Sequence, residues 1–68
     1  MIVLSRLVEL RNREGLSQAK LAKILGIPQQ QYSRYESGQN EMPLRYLIAL
    51  CEYYGVTSDW LLGLSDYE

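Results

Sequence analysis

Glycine and proline cut this chain into stretches that leave room for little more than short helices. They fall at Gly15, Gly26-Ile27-Pro28, Gly38, Pro43, Gly55 and Gly63, and the segments between them are apolar at helical spacing and poor in β-branched runs. The pattern predicts an all-α fold. A first helix, about Ile2 to Arg13, sets Val3, Leu7 and Leu10 on one stripe and stops at Gly15, a residue suited to the left-handed conformation that closes helices. Ser17 can cap a second helix, whose apolar face is Leu21, Ala22 and Leu25 and whose end is Gly26. Pro28 disfavours helical geometry at Ile27 and presets the turn, so a third helix starts afresh and runs to about Ser37.

Pro43 can open a fourth helix, with Leu44, Leu47, Ile48 and Cys51 expected on its inner face and Gly55 at its end. Val56 is expected to plug the core. Thr57 or Ser58 then caps a last short helix holding Asp59, Trp60, Leu61 and Leu62, with Asp59 near the positive end of the helix dipole. A chain of 68 residues cannot bury two cores against the entropy of ordering them, so residues 1–68 are expected to form a single domain.

The chain has no His and one Cys, Cys51, which rules out an intrachain disulfide and leaves no zinc-ligand cluster. No Ser or Cys has an evident activating base. An enzyme is therefore not expected, nor a metal, cofactor or small-molecule ligand. Cys51 reads as a core residue, with a redox sensor as the alternative. Met1 to Leu4 is too short for a secretory signal, and no apolar run approaches the roughly 20 residues of a membrane span, so a cytoplasmic protein without a membrane partner is expected.

Net charge is −1, which at first sight argues against a polyanionic partner. The average hides a split. Residues 1–38 carry Arg6, Arg11, Arg13, Lys20, Lys23 and Arg34 against Glu9, Glu14 and Glu36, whereas residues 39–68 carry only Arg45 against Glu41, Glu52, Asp59, Asp66 and Glu68. Any contact with nucleic acid is expected in the first half.

Two short helices joined by a Gly-containing turn make a local helix-turn-helix pattern. At about 100° per residue, Tyr32 and Tyr35 of the third helix face inward, while Gln29, Gln30, Ser33, Arg34 and Ser37 share the outer face, which has no acid. Gln can pair with adenine, Arg with guanine and Ser with several base edges, so the set suits reading of the major groove. The other reading is an ordinary solvated surface.

These motifs together resemble the phage repressor and Cro family of helix-turn-helix regulators, often called the Xre family. The resemblance covers nearly the whole chain. It rests on Arg6-Leu7 and Leu10-Arg11, on Leu16-Ser17-Gln18, Leu21-Ala22 and Leu25-Gly26-Ile27, and on Tyr32-Ser33-Arg34-Tyr35-Glu36-Ser37-Gly38. Leu44, Leu47, Gly55-Val56 and Asp59-Trp60-Leu61-Leu62 continue it. The resemblance implies a compact five-helix repressor-like domain, with helices two and three as the helix-turn-helix. It also implies a sequence-specific DNA-binding transcriptional regulator, a repressor of bacterial or phage type, that inserts helix three (about 29–37) into the major groove of an operator in double-stranded DNA.

By position, the resemblance implies that Gln29, Gln30 and Arg34 read bases, and that Ser33, Gln39 and Asn40 touch the DNA backbone. Gln18 matches a position that binds phosphate and braces the recognition helix. Arg11 and Glu36 match a structural ion pair between helix one and the end of helix three. Two departures stand out: Pro28 replaces a frequent Ser or Thr cap, and the loop Gln39-Asn40-Glu41-Met42 lacks the Lys or Arg common there. Modest, salt-tolerant affinity is expected.

Two further readings of function stay open: an antitoxin that binds a toxin and its own operon, and an interaction module that kept the fold without DNA binding. One short helix reaches only about three to five base pairs, so a homodimer on DNA is expected. Its contact is expected through Trp60, Leu61 and Leu64 or the flank of helix four, the alternative being that this segment only closes the core.

Overall fold

A computed structural model describes residues 2–68 of the chain. The elements are α1 (Ile2–Arg13), α2 (Gln18–Leu25), α3 (Gln29–Glu36), α4 (Leu44–Tyr54) and α5 (Ser58–Leu61), with no strand among the described residues. Each boundary has a local cause. Ser17 holds extended backbone and its hydroxyl accepts the Lys20 N–H at 3.1 Å, satisfying a donor that α2 would otherwise leave open. Thr57 does the same for α5 through the Trp60 N–H, also at 3.1 Å. Gly26 closes α2 at φ 72°, a left-handed conformation that a Cβ would strain, and its N–H returns to the carbonyls of Ala22 and Lys23. Pro28 and Pro43 occupy the N-cap positions of α3 and α4 and supply no side-chain acceptor.

Every helix contributes to one core: Leu7 and Leu10 from α1, Leu21 and Ala22 from α2, Tyr32 and Tyr35 from α3, Leu50 from α4, and Trp60 and Leu61 from α5. The Cα radius of gyration is 11.0 Å. That matches the value of about 11 Å expected for a compact chain of this length, so the short helices lose nothing in packing. Burying these apolar side chains is the main favourable term, at roughly 1.5–3 kcal/mol for each large one.

The inner face of α4 differs from the expectation. Leu44 and Ile48 are 68% and 49% exposed, while Leu50 is fully buried with Tyr46, Leu47, Cys51 and Tyr54 packed beside it. Two apolar stripes overlap on this helix. Leu47, Leu50, Cys51 and Tyr54 recur at i, i+3, i+4 and i+7 and meet the core, and the neighbouring stripe through Leu44 and Ile48 faces outward. The expected partner contact through Trp60 and Leu61 also changes: they are 5% and 1% exposed within their own chain, so they close the core. Leu62 and Leu64, at 44% and 76%, are the exposed residues of that segment.

The last residues fold back on α1. Arg6 lies 4.6 Å from the Trp60 ring centroid and donates to the carbonyls of Trp60 and Ser65. Arg13 makes a bidentate pair with Glu68, whose carbonyl accepts the Thr57 N–H at 3.0 Å.

Candidate nucleic-acid interface

The site is built on α3, which lies across α2 after a three-residue turn. Ile27 N–H bonds to the Ala22 carbonyl at 3.0 Å, and Tyr32 N–H to the Pro28 carbonyl at 3.2 Å, so both sides of the turn are tied to a helix. Tyr32, Tyr35 and Glu36 form the buried face of α3. Gln29, Gln30 and Arg34 are exposed, and Ser33 is half-buried between the two faces. Ser37 is the C-cap; its hydroxyl donates to the Arg34 carbonyl at 3.1 Å and accepts the Gln39 N–H at 3.4 Å. Gln39 and Asn40 are exposed on the following loop, and the Asn40 N–H bonds to the Arg34 carbonyl at 3.2 Å. A polar surface thus runs from the start of α3 into the loop.

Glu36 is the only acid on α3, and it points away from that surface. Arg11 grips its carboxylate in two places, Nε to Oε2 at 2.7 Å and Nη2 to Oε1 at 3.1 Å, and Gln18 donates to Oε1 at 3.0 Å. Arg11 also donates to the Leu16 carbonyl at 3.0 Å, so one guanidinium joins α1, the α1–α2 turn and α3. Burial alone would push the Glu36 carboxyl up; the Arg11 and Gln18 hydrogen bonds and the nearby Tyr32 hydroxyl outweigh it and hold the carboxyl below its ordinary range. The Tyr32 hydroxyl lies beside the same carboxylate without good hydrogen-bond geometry. Burial and that negative neighbour push the phenol well above its usual range, so it stays protonated.

The arrangement can present amide and guanidinium donors to a planar partner while keeping its carboxylate out of the way. A family model described as helix-turn-helix matches residues 7–61, from mid-α1 to the end of α5. The chain belongs to the Xre-type helix-turn-helix family. This helix-turn-helix chain is also similar to curated regulators of Bacillus subtilis (strain 168). YobD, an uncharacterized HTH-type transcriptional regulator, is 38% identical over 61 residues, covering 90% of this chain and 54% of that protein. YonR, an uncharacterized HTH-type transcriptional regulator derived from the SPbeta prophage, is 42% identical over 57 residues, 84% of this chain and 53% of that protein. AnsR, an HTH-type transcriptional regulator, is 40% identical over 60 residues, 88% of this chain and 52% of that protein. The chain spans about half the length of these relatives.

Within this helix-turn-helix domain, α3 and its loop bring Gln29, Gln30, Ser33, Arg34, Gln39 and Asn40 together, and Gln18 sits at the first position of α2 with its amide on Glu36. Gln31 escaped the reading of faces. It is half-buried, and its amide donates to the Tyr35 hydroxyl at 2.8 Å. Its i, i+4 spacing to Tyr35 was the available signal. Arg45 and Tyr46 carry no such signal: the Tyr46 ring meets that of Tyr35 on α3, and Arg45 lies against the Tyr46 ring beside it.

Proposed function

We propose that this domain is a DNA-binding transcriptional regulator, acting as a repressor, that inserts α3 into the major groove of an operator. The observation that carries the reading is the acid-free outer face of α3, with Gln29, Gln30 and Arg34 exposed and Glu36 turned inward onto Arg11 and Gln18. Gln presents donor and acceptor to adenine, and Arg a fork to guanine O6 and N7. Ser33, Gln39, Asn40 and the second amide proton of Gln18 serve the flanking phosphates, which fix register without carrying sequence information. Arg11 and Glu36 are structural. The relatives named as HTH-type transcriptional regulators support the same assignment. Residues 1–68 act as one binding unit, in the cytoplasm, by binding rather than by catalysis.

The same reading makes the functional species on DNA a homodimer. Leu44, Ile48 and Leu62 line one shallow apolar groove, and Leu64 is exposed on the segment that follows Leu62. This patch, rather than Trp60 and Leu61, is the surface offered to a second copy. Selection of bound sequences from random duplex DNA tests the proposal. Enrichment of one two-fold symmetric motif is expected, with half-site centres roughly 10 base pairs apart; a population that stays random at low salt would refute it.

A further inference from the structure

Seven basic side chains stand in this sequence, and the fold occupies three of them. Arg11 is paired with Glu36 and Arg13 with Glu68, and Arg6 donates to the carbonyls of Trp60 and Ser65. Lys20, Lys23, Arg34 and Arg45 are exposed, and none has a carboxylate partner among the described residues. Two features of Arg45 matter, and only the second sets it apart from the other three, since Lys20 also lies in the first turn of its helix. It lies in the first turn of α4, where the positive end of the helix dipole disfavours a cation, so its position works against helix stability. It also has a partner on its own helix: its guanidinium lies 4.6 Å from the Tyr46 ring centroid and Nη2 donates to the Tyr46 hydroxyl at 3.4 Å.

Tyr46 in turn ties that charge to the recognition helix. Its ring centroid is 6.0 Å from that of Tyr35, at 46° between planes, and Tyr35 is the core residue next to Arg34. Gln31 holds the Tyr35 hydroxyl. A continuous line of contacts therefore runs Gln31, Tyr35, Tyr46, Arg45, from α3 to the start of α4. The loop between these helices, Gln39 to Met42, contains no cation and one acid, Glu41. The next positive charge along the chain is Arg45.

We propose that Arg45 is a DNA-phosphate contact, held ready on the face of Tyr46, and that it supplies the positive charge the loop before it lacks. Arg45 fixes the α4 end of the domain on the backbone, while α3 reads the bases. This assignment rests on the reading of α3 as the base-reading helix.

The test is a salt titration of affinity for a selected operator, made with the full chain as wild type, Arg45→Ala, Arg45→Lys and Tyr46→Phe, with thermal melting of each in parallel. Each phosphate neutralised contributes about −0.9 to the slope of log affinity against log salt. Arg45→Ala should flatten the slope by about one per protomer and so lose about 3.5-fold less affinity than wild type between about 50 and 200 mM salt. Its preference between matched and mismatched sites should not change, and its melting temperature should not fall. Arg45→Lys and Tyr46→Phe, which keep the charge and the ring, should retain the wild-type slope. Wild-type slope and affinity in Arg45→Ala would overturn the role of Arg45 alone. A wild type that binds no duplex at low salt would overturn this assignment together with the reading beneath it.

Discussion

Glu36 shows how one side chain can decide what a helix face is able to do. Turned outward, its charge would repel phosphate; turned inward, it joins α1, α2 and α3 through Arg11 and Gln18. Its side chain is 4% exposed and that of Arg11 16%, so removing the acid strands a largely desolvated guanidinium. Glu36→Ala should cost about 1–4 kcal/mol in denaturant unfolding while the exposed face of α3 keeps its chemistry. An unchanged melting temperature with lost DNA binding would mean that Glu36 is functional rather than structural. The carboxyl also carries a pH signature. Its native value lies below the ordinary 4.5, so its stabilising effect is complete above that value and disappears as pH falls through the lower native one. Stability of wild type should therefore drop below about pH 4.5 more steeply than that of Glu36→Gln, as followed by acid unfolding.

At the scale of the element, the hydroxyl caps define where α2 and α5 begin. Ser17→Ala and Thr57→Ala should each lower stability by about 1 kcal/mol, read as a shift in denaturation midpoint with an unchanged slope. The boundaries of α1, α2 and α3 were legible because Gly15, Gly26 and Pro28 act locally and Ser17 caps within three residues. The inward Tyr32 and Tyr35 were legible for the same reason, since a single stripe on α3 is apolar. Helix α4 was not, because Leu44 and Ile48 form a second stripe as apolar as the first. Only packing in three dimensions, against α5 and the rest of the core, decides that Leu50, not Ile48, is buried. Side-chain bridges between separate elements leave no periodic trace. Tyr46 to Tyr35 and Arg13 to Glu68 therefore became visible only in three dimensions, and the brace from Gln18 was legible only through the family resemblance, without its partner Glu36. The outer residues of α3 could be named in advance, but not that the Gln29, Gln30 and Arg34 side chains lack internal partners among the described residues while the Ser37 hydroxyl has them.

The whole molecule places opposite chemistries on different parts of a small globule. Amides and cations without a carboxylate partner gather on α2, α3 and the start of α4, while an apolar patch of Leu44, Ile48 and Leu62 lies on α4 and the end of α5, with Leu64 exposed on the segment that follows. A patch this small falls short of the roughly 800 Å² per partner of a stable complex, so the free protein should be monomeric at micromolar concentration and pair on DNA. Leu64→Glu, at a residue 76% exposed, should leave the fold intact and weaken cooperative binding to a two-half-site operator, while affinity for a single half-site stays the same. The central claim is that the outer face of α3 reads bases, and the most direct measurement compares wild type, Gln30→Ala and Arg34→Ala against every single-base variant of the selected site. Each substitution should cost about 1–3 kcal/mol per half-site and erase preference at its own base position, with melting temperatures unchanged. Folded variants that keep the wild-type pattern of base preference at every position would contradict it.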